Sequence, residues 1–135
     1  MTNKEKKAYL GRYLELAAEE KDILEEVAYW MSRAQKVTSA WSIVPGGKGR
    51  SDKIQNGAIK LAELHEMLKD KADELAQIRI EIERAIGTVE GGAQRRLLRL
   101  RYIQGMTWEQ IAVRMDYSYV HICRLHGQAL EKIVL

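Results

Sequence analysis

Residues 106–126 read MTWEQIAVRMDYSYVHICRLH, and the reading of this stretch decides the fold. It holds two short amphipathic segments, each opened by a hydroxyl side chain, Thr107 and Ser118. Gln110 stands three residues after Thr107, the spacing of a capping box, in which each side chain satisfies a free backbone N–H at the helix start. Met106 and Ile111 have the spacing of the matching hydrophobic staple, and Tyr117 and Ile122 repeat it around Ser118. The first helix is expected to end near Met115. Just upstream, QRRLLRLRYIQ predicts a further short helix with Leu97, Leu100 and Ile103 inward and Gly105 as its C′ residue. Three short helices with a tight turn between the last two make a helix-turn-helix.

The last helix shows an unusual outer face. At about 100° per residue, Ile122, Leu125, Ala129 and Ile133 share the buried side. The opposite side centres on Val120, Arg124 and Gly127, flanked by Cys123 and Gln128, with Tyr119 and His121 near the N-terminus. A helix that only dissolves itself in water would show Lys and Glu here. Arg can donate twice to guanine, Gln can pair with adenine, and a valine methyl can pack on a thymine methyl. A base-reading surface therefore competes with a surface for a protein partner, and Cys123 alone reads more simply as a small filler. The expected base-contacting set is Tyr119, Val120, His121, Cys123, Arg124 and Gln128.

Charge supports the nucleic-acid reading. The net charge is +3 over 135 residues. Residues 1–94 carry 15 Lys and Arg against 16 Asp and Glu, whereas residues 95–135 carry 7 against 3. Arg95, Arg96, Arg99 and Arg101 fall within seven residues. Such asymmetry is the footprint of a polyanion-binding module on a neutral scaffold. With Thr107, Trp108, Arg114 and Ser118, these arginines form the expected phosphate-contacting set.

Outward from this module lies a scaffold of two long helices. Residues 3–40 place Leu10, Tyr13, Leu14, Ala17, Leu24, Val27, Ala28, Met31 and Ala34 on one stripe. WSIVPGGKGRSD then predicts a loop over about residues 41–53, with Ser51 or Asp52 capping the next helix. In that helix Ile54, Leu61, Leu68, Leu75 and Ile82 recur every seven residues, the repeat of coiled-coil packing. The expected fold is all-α: a long antiparallel, coiled-coil-like hairpin over residues 1–90 and a three-helix helix-turn-helix over 91–135. The seven-residue seam is expected to bury a homodimer, since one hairpin buries little. Gly87, Gly91 and Gly92 predict a hinge between the parts, and a fragment from about Gly91 is expected to fold alone.

Several function classes drop out. PGGKGRS has glycines and a lysine, but not in the order of a phosphate-binding loop. His121, Cys123 and His126 point about 200° and 300° apart round their helix and cannot converge on one metal ion. His65 lies on the edge of the helical stripe. No carboxylate pair, nucleophile with a base, or cofactor loop occurs, so no enzyme, cofactor, metal or small-molecule substrate is expected. Cys123 stands alone, which excludes an internal disulfide. The longest uncharged run, residues 37–47, has 11 residues against the roughly 20 that span a bilayer. MTNKEKK is no signal peptide, and a cytoplasmic protein without a membrane partner is expected.

LLRLRYIQGMTWEQIAVRMDYSYVHICRLHGQALEKI resembles region 4, the C-terminal promoter-reading domain of bacterial sigma factors. The resemblance runs without a gap from about Arg96 to Ile133. The acidic helical N-terminal half, the PGG loop followed by SDKI, and YSY…RLHGQAL resemble more closely the phage late-gene activators of the RinA/ArpU type. The resemblance implies that Tyr119, Val120 and Arg124 read the promoter and that Thr107 and Trp108 meet backbone phosphates. It also implies double-stranded DNA and host RNA polymerase as partners, in the bacterial cytoplasm. Two departures stand out. The Arg-Glu pair that opens the sigma recognition helix is Tyr119-Val120 here, so the usual promoter element is not the expected target. The usual turn glycine is Asp116, which tolerates left-handed backbone angles less freely. The function expected is a sequence-specific transcription regulator, a phage late-operon activator working with host polymerase. The alternatives are the DNA-recognition small subunit of a packaging terminase, and a protein that binds polymerase without touching DNA.

Overall fold

Local signals place five helices along the chain. The computed structural model describes residues 1–43 and 48–135, and side chains outside 37–51. Its helices are α1 (Asn3–Ile43), α2 (Lys48–Gly87), α3 (Gly92–Tyr102), α4 (Trp108–Met115) and α5 (Tyr119–Lys132). No strand occurs among the described residues, and none of their helices is long and apolar enough to cross a membrane. The all-α architecture is the expected one. A capping box that the sequence reading passed over opens α1: Glu5 N–H donates to Thr2 Oγ1 at 3.2 Å and Thr2 N–H to Glu5 Oε2 at 2.6 Å.

Much of the loop expected over 41–53 is helical. The backbone is helical to Ile43 and again from Lys48, which places Ser51 and Asp52 inside α2 and not at its cap. Serine and glycine only lower helix propensity, by about 1 kcal/mol at most relative to alanine, whereas proline forbids the interior outright. Residues 44–47, Pro45 among them, lie outside the described part.

The chain packs as two compact units, residues 18–74 and residues 1–17 with 75–135. In the first unit, α1 and α2 run antiparallel. Lys71 Nζ donates to Glu19 Oε2 at 2.6 Å, and Trp30 and Arg33 share a groove with Ile54, Asn56 and Gly57. Ile23 and Leu64 are its buried large side chains, with Val27, Trp30, Leu61 and Leu68 half-buried. The stripe expected on α1 is offset here. Leu24 stays 49% and Met31 53% exposed, because one partner helix covers only part of an apolar arc that spans well over 100°.

The second unit joins the helix-turn-helix to both ends of the hairpin. Leu10 of α1 and Ile82, Ala85 and Ile86 of α2 share one core with Leu97, Leu98, Ile111, Ile122 and Ala129. Arg12 Nη2 meets Glu81 Oε2 at 2.9 Å, fastening α1 to α2. Lys6 Nζ donates to Leu130 O at 2.7 Å, so a cation from α1 caps the C-terminal end of α5, where carbonyls lack helical partners. The expected hinge is likewise held. Val89 is 1% exposed, Arg95 Nη1 donates to its carbonyl at 2.8 Å, and Thr88 Oγ1 accepts from Val134 N–H at 3.0 Å. A Gly91 φ of 107° makes a fixed corner rather than a swivel.

Of the seven-residue seam, Ile82 is wholly buried and Leu75 nearly so. Leu61 and Leu68 are half-buried, and Ile54 is exposed. Leu75 and Ile82 already belong to the interior of this chain, so the expected seam is divided between an internal core and a remaining surface.

Candidate nucleic-acid interface

The two helices that carry the site are locked by local hydrogen bonds. At α4, Gln110 N–H donates to Thr107 Oγ1 at 3.2 Å and Thr107 N–H donates to Gln110 Oε1 at 2.9 Å. Both halves of the capping box are present. At α5, Ser118 Oγ accepts from His121 N–H at 3.1 Å. Between them Asp116 adopts φ 57° and ψ 46°, the left-handed conformation that the turn requires. It is the single non-glycine residue with positive φ among those described. Gly105, at φ 71°, turns the chain from α3 into α4 two residues beyond the C-cap Ile103, one place further out than expected. Leu14 of α1 packs against it: a Cβ here would stand 3.5 Å from that side chain.

Ile122, Leu125, Ala129 and Leu130 fix the inner side of α5. That packing turns Tyr119, Val120, His121, Cys123 and Arg124 outward, all exposed, with Val120 at 60%. Tyr117 lies edge-on to His121 with ring centroids 4.7 Å apart, so its ring contacts the exposed face as well as the staple position. The neighbouring Cys123 sulfur, by its charge and a hydrogen bond, raises the Tyr119 phenol above its usual pKa. The outer face of α5 thus bears hydroxyl, thiol and imidazole groups with one guanidinium. Gln128 is exposed too, but its amide oxygen accepts from Gln94 Nε2 at 3.2 Å.

The expected phosphate set separates into two groups. The side chains of Arg96, Arg99 and Arg114 are exposed and, like that of Arg124, make no hydrogen bond or ion pair among the described residues. Arg95 and Arg101 are half-buried and occupied. Arg101 Nη1 donates to Met106 O at 3.0 Å while its guanidinium lies 4.3 Å from the centre of the Trp108 ring. Trp108 in turn meets the His126 ring at 4.5 Å and packs on the core. Thr107 and Ser118 accept a backbone N–H each, which leaves each hydroxyl proton free to donate outward.

Some of the site is invisible to sequence reasoning. Tyr102 Oη and His126 Nε2 lie 2.7 Å apart, and burial pushes the Tyr102 phenol up to about 12. Burial, then the charges of Lys7 and Arg101, push the His126 imidazole down to about 4. Lys7, Arg101, Tyr102, Trp108, Cys123 and His126 line one cleft along α5, so a lysine from the first turns of α1 joins Arg101 there. Gln94, buried, bridges Gln128 and Lys132 Nζ. The partners are 24 and more residues apart, and no local spacing signals them. In HICRLH the three metal-type side chains diverge: His121 and Cys123 are exposed, and His126 faces Tyr102.

The His126 environment has a consequence for stability. The unfolded chain binds the imidazole proton near 6.5 and the folded chain only near 4, so stability is present above 6.5 and is lost as pH falls through this window. The melting temperature is expected to drop from pH 6.5 to 4. His126→Gln, which keeps an acceptor for Tyr102, is expected to flatten that drop. An equal slope in both proteins would assign the acid sensitivity elsewhere.

No curated protein and no solved structure matches the chain. Residues 92–133 match the family model described as Sigma-70, region 4. This span covers α3, α4 and α5 in full. The C-terminal part of this chain is a sigma-region-4-like, DNA-binding helix-turn-helix.

Proposed function

We propose that the chain is a sequence-specific transcription regulator, a phage late-operon activator that lays α5 in the major groove and works beside host RNA polymerase. The observation that carries the reading is the outer face of α5. Arg124 stands exposed and unpaired between Val120 and Gln128, on a helix whose other side is fully packed. Tyr119, Val120, His121 and Arg124 are the base readers, and Cys123 and Gln128 lie at their margins. Arg96, Arg99 and Arg114, with the Thr107 and Ser118 hydroxyls, hold phosphates. Arg95, Arg101 and Trp108 act one step back, by keeping α3 and α4 in place. Phosphate contacts set register, and base contacts set sequence. With Tyr119-Val120 at the start of α5, the site preferred differs from that of an ordinary sigma factor.

Selection from a random duplex library tests this. A discrete enriched motif is expected, bound about 10³-fold or more tightly than random duplex. On a promoter containing the motif, transcript yield from bacterial polymerase is expected to rise when the protein is added. Equal affinity for all duplexes would end the sequence-reading claim, and an unchanged or reduced yield would end the activator claim.

A further inference from the structure

We propose that a second copy of this chain packs on one flank of residues 18–74, the flank carrying Leu24, Ala28 and Met31 of α1 and Ile54, Ala58 and Leu61 of α2. The two hairpins then close a four-helix bundle. Within residues 18–74 only Ile23 and Leu64 are buried large apolar side chains among those described, while Leu24, Met31 and Ile54 remain 38–53% exposed. Two helices with so little shared interior are marginal by themselves. Relative to the buried stripe of each helix, the six flank residues lie roughly a quarter turn round in the same sense. Because α1 and α2 are antiparallel and face one another, that rotation brings both sets to the same flank.

Charge selects the occupant. The opposite flank carries Glu19, Asp22 and Glu26 on α1 and Glu63, Asp70 and Glu74 on α2. Of the cations beside them, Lys71 is held by Glu19 and Arg33 lies 3.1 Å from the Tyr29 hydroxyl; with Lys53 and Lys60 these leave the six carboxylates in excess. A two-fold contact sets each patch against itself, and an acidic patch against itself is repulsive. The flank of Leu24 and Met31 carries Gln35 and His65 among its apolar side chains but no cluster of like charge, so it complements its own copy. It also uses the part of the seven-residue repeat that the chain's own core leaves over, since Leu75 and Ile82 are already buried inside.

Sedimentation equilibrium of the full chain, without DNA, tests the surface independently of any promoter. Wild type and Met67→Lys, on the acidic flank, are expected at the mass of two chains, and Leu24→Lys/Met31→Lys at about half that. A wild-type mass of one chain overturns the proposal, as does a mass above two chains or a double variant that still pairs. If the double variant loses its helical circular dichroism, spin labels decide. A nitroxide on Ala28→Cys is expected to move more slowly than one on Glu63→Cys, both in a Cys123→Ser background. Equal mobility overturns the proposal.

Discussion

Residues 91–135, cut from the rest of the chain, are expected to show no cooperative thermal transition. The sequence, with Gly87, Gly91 and Gly92 between the parts, suggests an independent module. The structure makes its core a joint one. Leu10, Ile82 and Ile86, each 0% exposed, pack with Leu97, Ile111 and Ile122. Removing residues 1–90 takes away one wall of that interior and the Lys6 cap on Leu130 O. It also removes the Val89 carbonyl that accepts from Arg95. Each large buried aliphatic lost from a core costs about 2–5 kcal/mol, and a whole small domain holds about 5–15 kcal/mol. Losing three such side chains is therefore enough to unfold the remainder. The full chain with Leu10→Ala offers a milder measurement, with an expected loss of about 2–5 kcal/mol in denaturant unfolding. A fragment that melts cooperatively near the full-length temperature would show that α3–α5 need no support from α1 and α2.

Arg124→Ala is expected to weaken binding to the preferred duplex by about 1–3 kcal/mol and to relax preference at one base pair. The side chain is exposed, unpaired and opposite the buried Ile122 and Ala129, so its fork is free to meet both acceptors of one guanine. Arg99→Ala and Arg114→Ala are expected to behave differently. Each should weaken all duplexes alike and reduce the salt slope by about one unit. Arg101→Ala differs again, because its guanidinium lies on Trp108 and donates to Met106 O. Its loss is expected first in the melting temperature. Binding isotherms on preferred and random duplex at several salt concentrations separate these roles. Equal losses on both duplexes for Arg124→Ala, with the whole change in the salt slope, would make Arg124 a phosphate contact.

How much of this was legible follows from the range of each interaction. The Thr107–Gln110 box and the Ser118 cap join residues three apart, and the Asp116 turn is a property of a single residue. Side chains so close in sequence meet whenever the helix starts, so residue type and spacing suffice to read them. The alternation that turns Arg124 outward is also local, because 3.6 residues per turn fix which side chains oppose Ile122 and Ala129. The all-α class and the order of helices followed from such signals alone. Partner choice did not. Periodicity shows that a face is buried, not what buries it. The stripe on α1 gave no sign that Leu10 joins the core of α3–α5 while Leu24 and Met31 stay exposed. Nor did it show that Leu75 and Ile82 are used up inside one chain.

The sequence by itself determined the order of the helices, the caps of α4 and α5 and the outward face of α5. The tertiary structure alone decided that Lys6 reaches Leu130, 124 positions away, that Tyr102 meets His126, and that the Trp108 ring packs on that of His126. The physical reason is that capping and amphipathic rotation are set within one or two turns of chain. Burial of an imidazole, occupation of a guanidinium and completion of a core depend on which distant surfaces exclude water together.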